Sequence, residues 1–140
     1  MATQPAPYLL LFRDSTPEIY RDLSAEQRQR MLTQWNQWYN ELEATGCVRY
    51  GHPLEPEGRM VSISPGRLVT DEPLVEAHRA IGGYFFLMVA DLLEATAIAR
   101  RCPSLSYGMH VEVRPVADCC HLGATSRPES TPSKAANNAR

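Results

Sequence analysis

The chain has 140 residues, 44% of them hydrophobic and 21% charged, with a net charge of −2. That is the size and composition of one globular domain able to bury a core without disulfides or a metal ion, so wholesale disorder is excluded. The slight negative charge argues against nucleic acid as a main partner, because phosphate binding needs a basic surface.

The sequence carries no sign of a membrane anchor or an export signal. No apolar run approaches the roughly 20 residues that span a bilayer. Met1–Pro5 lacks the basic and apolar regions of a signal peptide. We therefore expect a cytoplasmic protein whose four cysteines are reduced thiols.

The first part of the chain predicts a strand and then one long helix. Tyr8–Arg13 is a short apolar and aromatic run, which is typical of a buried strand. Ser24-Ala25-Glu26-Gln27 has the spacing of a capping box, in which the serine and glutamine side chains satisfy free amides at a helix start. Apolar residues then recur at helical spacing for about twenty residues, as far as Gly46. The main positions of this stripe are Met31, Trp35, Trp38 and Leu42.

The middle of the chain predicts a weak strand and a hairpin. The weak strand is Cys47–His52, and the proline that follows ends it because proline cannot donate to a sheet ladder. Met60–Ile63 and Arg67–Thr70 flank Ser64-Pro65-Gly66, a pattern typical of a hairpin. We expect the chain to turn a corner at Asp71-Glu72-Pro73.

The last part of the domain predicts a strand, a helix and a strand. Tyr84–Val89 follows Ile81-Gly82-Gly83 and is apolar on both faces, like a central strand. Asp91 caps a second helix, whose apolar face runs to Cys102. Met109–Arg114 alternates apolar and polar residues, as a strand with one wetter face does.

The order of these elements predicts an α+β domain with a ferredoxin-like βαββαβ plan and an inserted β-hairpin. Two helices cover one face of such a sheet, so we expect a second copy of the chain to cover the other face in a homodimer. Alternation places His110, Glu112 and Arg114 on that second face. The domain is predicted to span residues 5–117. Residues 118–140 are predicted to be a disordered tail, because so polar a segment does not offset its ordering entropy.

Five stretches of the chain resemble the YCII-related family, specifically its DGPF branch. They occur in order along nearly the whole domain: Tyr8–Arg13, Gly51–Leu54, Val69–Glu76, Ile81–Phe85 and Val111–Val116. The resemblance implies a ferredoxin-like fold that dimerises face to face into a dimeric α+β barrel. The namesake motif is altered here, since Asp71-Glu72-Pro73-Leu74 stands where the family has Asp-Gly-Pro-Phe.

The resemblance leaves the reaction open. One branch of the family carries a His–Asp pair proposed as catalytic, and a relative acts as a dehydrochlorinase on a chlorinated hydroquinone. The histidine of that pair belongs in Arg21–Arg30, which contains none. DGPF members also resemble proteins found beside genes for alternative sigma factors.

Three hypotheses about function follow from these observations. The first is a homodimer that binds a small molecule in its barrel cleft and, if it is an enzyme, performs cofactor-free acid–base chemistry. The second is a non-catalytic accessory protein linked to transcription. The third is a structural dimer with an inactive pocket.

Three candidate site residues are acidic or basic. Asp71 is the acid kept from the family motif; it acts as a general base if it is buried, or else it holds the next turn. Arg13 and Arg114 end strands that are potential neighbours. Together they bind a carboxylate or phenolate, or they form structural ion pairs with Glu112 or Asp14.

Two histidines and a tyrosine complete the candidates. His110 and His52 shuttle a proton near neutral pH, or are simply surface or packed histidines. Tyr84 follows Gly82-Gly83, whose missing side chains admit a ligand or mark a bulge. The sequence has no nucleotide-binding, serine-hydrolase or zinc-protease motif. Cys119-Cys120-His121 lacks a second ligand pair at a zinc spacing, so we expect no metal and no cofactor.

Overall fold

Six strands and three α-helices make up the described part of this computed structural model, which covers residues 4–14, 18–74 and 81–123. In chain order the elements are β1 Ala6–Asp14, α1 Glu18–Arg21, α2 Ala25–Ala44, β2 Val48–Pro53, β3 Arg59–Ile63, β4 Val69–Pro73, β5 Ile81–Val89, α3 Leu92–Ala99 and β6 Met109–Pro115. A 3-10 helix at Leu105–Tyr107 precedes β6. Most of the predicted tail, residues 124–140, lies outside the described residues.

The main sheet has four strands in the order β2-β5-β1-β6, and every neighbouring pair is antiparallel. Its central pair, β1 and β5, carries the most apolar runs of the sheet. The predicted α+β class is confirmed, and the strand order is compatible with a ferredoxin-like arrangement.

Both long helices begin at the predicted caps. Ser24 Oγ accepts a hydrogen bond from the Gln27 amide at 3.1 Å, and Gln27 Oε1 accepts one from the Ser24 amide at 2.8 Å. The Asp91 carboxylate accepts from the Glu94 amide at 2.9 Å at the start of α3. α3 ends at Ala99, three residues earlier than predicted, because the proline after Cys102 disfavours helical backbone there.

The core lies between the helices and one face of the four-stranded sheet. Alternate residues of β1 and β5 point into it, while α2 and α3 each contribute one apolar face. Its most buried hydrophobic side chains are Leu10, Leu87, Ala95, Leu42, Val89, Phe12, Trp38 and Val48. The opposite face of the sheet is half-buried along β1 and β5, and no helix of the described residues packs on it.

The hairpin differs from its prediction at one point. The corner expected at Asp71-Glu72-Pro73 is wrong, because all three residues belong to the extended strand β4. The hairpin turn predicted at Ser64-Pro65-Gly66 is present at residues 64–67, where Arg67 has a φ of +65°. Pro73 is tolerated because β4 pairs only with β3 and ends there. Residues 75–80, which include the end of one family-like stretch, lie outside the described residues.

Candidate functional site

A cavity of about 610 Å³ lies where α1 and the first half of α2 meet the ends of β1, β2 and β5. It is on the helix-covered side of the sheet, beside the core. The described side chains around it divide into an aromatic wall and a polar cluster. Its volume is within the ~300–1,000 Å³ typical of small-molecule sites.

The wall consists of aromatic rings that brace one another. The ring centroid of Phe12 lies 5.0 Å from that of Trp35 and 4.8 Å from that of Phe85, and both pairs are nearly perpendicular. Tyr39 packs on Phe85 with the centroids 5.2 Å apart. Because edge-to-face packing fixes ring orientation, the wall is a preformed apolar surface.

The polar cluster joins three elements of the fold. Tyr20 of α1 brings its hydroxyl near both the Asp14 carboxylate, at the end of β1, and the Ser104 hydroxyl. Ser104 is only 1% exposed; its Oγ accepts a hydrogen bond from Trp35 Nε1 at 2.9 Å and donates to Met31 Sδ at 3.5 Å. The Tyr20 hydroxyl is buried and has no hydrogen-bond partner of good geometry among the described residues.

Burial sets the protonation chemistry of this cluster. It raises the pKa of the Asp14 carboxyl, and the approach of the Tyr20 hydroxyl offsets part of that rise. Burial likewise raises the pKa of Tyr20, and the negative charge of Asp14 adds to the effect. The pKa of the nearby Cys102 thiol is raised to about 11, mainly by burial. The surroundings therefore disfavour negative charge, and Asp14 holds the one carboxylate among the described residues that line the cavity.

Two glycines bring the sheet backbone up to the cavity. β1 and β5 change register between Phe12 and Arg13, so Gly82 lies in a bulge, and a Cβ on it would be 3.9 Å from Asp14 Oδ2. A Cβ on Gly83 would lie 3.0 Å from the His52 carbonyl oxygen, so this position admits no side chain without a shift. The bulge predicted as one explanation of the glycine pair is present, and β2 closes tightly on it.

Comparison with models of known protein families matches residues 7–119 to the YCII-related domain. The chain belongs to the YCII-related family. No curated protein matches the chain. None of the helices in the described residues is long and apolar enough to cross a bilayer. Within the same residues, no three or more His, Cys, Asp or Glu side chains are grouped closely enough to hold a metal ion.

The two arginines predicted to bind an anion meet on the open face of the sheet of this YCII-related chain. Arg13 Nε donates to Glu112 Oε1 at 2.7 Å, and Arg114 Nη1 donates to Glu112 Oε2 at 2.9 Å. Hydrogen bonds lower the pKa of Glu112; the one from Arg13 has the larger effect and the one from Arg114 the smaller. The two strands are neighbours, as expected, but the carboxylate between the arginines is the chain's own.

The histidine and tyrosine candidates also fall on or near the open face. The rings of His52 and Tyr84 lie 5.9 Å apart, and His52 also lines the cavity. His110 is exposed on β6, opposite Arg13 in the strand register. The structure therefore brings His52 and Tyr84 together. It places His110 beside Arg13, and His110 is not among the residues that line the cavity.

Asp71 lies apart from every other candidate. Its side chain is 63% exposed on the β3–β4 hairpin, where it pairs with Arg59 at 2.8 Å. It does not line the cavity. As a general base Asp71 stays a prediction, and the described chain offers it neither burial nor a neighbouring pocket.

The residues of the cavity were largely missed by sequence reasoning. Asp14 was considered from the sequence only as a possible ion-pair partner of Arg13, and neither Tyr20 nor Ser104 was a candidate. One signal was present: Asp14 is an acid directly after a buried strand, next to the start of the polar connection. Trp35 was expected in the core, and it does pack there while also forming the cavity wall.

Proposed function

We propose that this protein binds a small molecule with an apolar, ring-containing body in the cavity between α2 and the sheet. The observation that carries the proposal is one half-buried carboxylate, Asp14, at the side of a preformed aromatic wall. Such a combination of apolar surface with a few converging polar groups is typical of ligand sites. The site differs from the barrel cleft expected from the resemblance.

Proton transfer by Asp14 is a second candidate function of the same site. The raised pKa of its carboxyl is the observation in favour, because a carboxylate made more basic by burial is a better proton acceptor. Asp14 would take the role that the sequence assigned to Asp71, in chemistry that needs no cofactor. The accessory role in transcription stays a prediction without a supporting contact in the described residues.

We further propose that two chains pair through the open face of the sheet, as the DGPF branch of the family would. Support comes from an aromatic and aliphatic patch on this face. Tyr50 stacks on Phe86 with ring centroids 5.1 Å apart, and Tyr50 is still 46% exposed. The half-buried Leu9, Leu11 and Met88 adjoin these rings in the strand register. A contiguous patch of this kind is what a sheet-to-sheet interface buries.

A ligand screen by thermal shift tests the binding proposal, because a ligand that binds only the folded state raises Tm. Gly82→Leu fills the cavity beside Asp14 from a backbone position where, among the described residues, an added Cβ has no contact closer than 3.9 Å. Gly66→Leu is the matched control, since no described atom lies within 4 Å of its added Cβ in the hairpin turn.

Aromatic ligands are expected to raise the Tm of the wild type and of Gly66→Leu but not that of Gly82→Leu. Should Gly82→Leu fold poorly, Asn36→Trp narrows the cavity from an exposed position on α2. Ligands that stabilise the blocked variants as much as the wild type would place binding elsewhere and refute the proposal.

A further inference from the structure

We infer that the ligand of the cavity is an organic ammonium: a protonated amine attached to an aromatic or aliphatic body. The inference rests on the proposed function, since it names the chemical class that the cavity selects. It follows from the charges, the acceptors and the rings that meet around Asp14.

The Asp14 carboxylate has no counter-cation among the described residues. The adjacent Arg13 turns to the opposite face of the sheet and pairs with Glu112. Arg28 lines the cavity, but its Nε and Nη2 donate to the carbonyl oxygens of Leu23 and Arg21, each at 3.2 Å. A half-buried carboxylate without a cation costs free energy that a cationic ligand recovers.

The atoms around Asp14 are acceptors more than donors. The Ser104 Oγ already donates to Met31 Sδ, so this oxygen has only a lone pair left, with which it can accept a further hydrogen bond. The Tyr20 oxygen is buried and has no partner of good geometry within the described chain. An ammonium group offers three N–H donors to these oxygens and to the carboxylate. An alcohol offers one donor and leaves the charge of Asp14 uncompensated, and a carboxylate ligand is repelled.

The aromatic wall favours the same class of ligand. Phe12, Trp35, Tyr39 and Phe85 present rings beside the carboxylate, and ring faces attract an ammonium through the cation–π interaction. Leu23, Met31, Leu32 and Met109 add apolar surface to the cavity lining, which suits the hydrocarbon body that carries the amine. An aromatic wall beside one carboxylate thus recognises both ends of an organic amine.

Binding of an ammonium requires Asp14 to be ionised, so its affinity should rise as pH rises through the pKa of this carboxyl. Among the described residues, the titratable groups that face Asp14 or line the cavity are Tyr20, Tyr39, Cys102, Arg28 and His52. Of these, His52 is the one imidazole among the described residues that line the cavity. His52→Gln therefore isolates the contribution of Asp14 to the pH profile.

The test compares 2-phenylethylamine with 2-phenylethanol, a neutral probe of nearly equal size, by titration calorimetry on the full chain. At about pH 8, where an alkylamine is protonated as lysine is, we expect the amine to bind at least about tenfold more tightly, as a charge-assisted hydrogen bond provides. Asp14→Asn should abolish this preference, because it lowers the amine's affinity much more than the alcohol's. In the His52→Gln background the amine's affinity, but not the alcohol's, should fall with decreasing pH.

The outcomes separate this inference from the proposed function. Equal affinities for amine and alcohol, both lost in Gly82→Leu, would overturn the ammonium class and leave the cavity as a binding site. An amine preference that survives in folded Asp14→Asn would also overturn it. If Asp14→Asn fails to fold, a pH-independent amine affinity in His52→Gln is sufficient to refute the inference. If neither probe binds, the ammonium inference falls, and the thermal-shift screen with Gly82→Leu still decides the binding proposal.

Discussion

The hydrogen bond between Trp35 and Ser104 ties the cavity wall to the polar cluster, and its removal gives a measurable loss of stability. In Ser104→Ala the indole Nε1, now 2.9 Å from a hydroxyl that is 1% exposed, loses its acceptor. A buried donor left without a partner costs about 1–3 kcal/mol. Because Trp35 is half-buried and borders the cavity, solvent can reach its N–H, so we expect the lower part of that range, about 1–2 kcal/mol.

A double-mutant cycle isolates this bond from other effects of the substitution. Trp35→Phe removes the donor, so Ser104→Ala in that background should cost about 1 kcal/mol less than in the wild type. Urea unfolding at one protein concentration supplies the free energies, since dimerisation would make stability depend on concentration. Ser106→Ala, on the exposed side of the 3-10 helix, is the control and should lie within about 0.5 kcal/mol of wild type. Equal costs of Ser104→Ala in both backgrounds would refute the reasoning.

Three further predictions concern other parts of the fold. The pKa of Glu112 is lowered in the folded state, so its contribution to the free energy of unfolding is present near neutral pH and lost as pH falls through that pKa. The difference in stability between wild type and Glu112→Gln should therefore close in acid. A difference that is constant with pH would contradict this. Burial raises the pKa of Cys102 to about 11, so about a thousandth of this thiol is ionised at pH 8. Mass spectrometry should therefore find Cys102 unalkylated until the chain is unfolded. Rapid labelling of the folded protein would contradict its burial. Phe86→Arg should give a monomer by light scattering. The control Leu93→Arg, at a site 80% exposed on α3, should stay dimeric. A dimeric Phe86→Arg would show that the interface does not lie on the open face.

The elements of the fold follow from local patterns in the sequence. The capping box at Ser24, the stripe of α2 and the alternation in β6 each depend on residues that are close along the chain, and the structure confirms all three. The prediction of a corner at Asp71-Glu72-Pro73 was wrong because proline is typical of turns but is also tolerated at the end of an edge strand such as β4.

The candidate site depends on contacts between distant parts of the chain. Trp35 and Ser104 are 69 residues apart, and nothing in either local sequence indicates that they bond. From the local sequence alone, Asp14 is an ordinary acid that follows a strand. It becomes half-buried only because α1 and the residues after α3 pack near the end of β1. The charged residues that sequence reasoning favoured, such as Arg13 and Arg114, were correctly expected to be neighbours, but their shared partner Glu112 could be chosen only from the register of β1 and β6.

The most direct test of the account is the location of a bound ligand. Amide chemical-shift mapping by NMR with 2-phenylethylamine reports which backbone positions respond to the probe. The account predicts the largest shifts at Asp14, Tyr20 and Gly82, around the cavity, and the loss of the Asp14 and Tyr20 shifts in Gly82→Leu. Shifts confined to the open face of the sheet, around Tyr50 and Phe86, would contradict it.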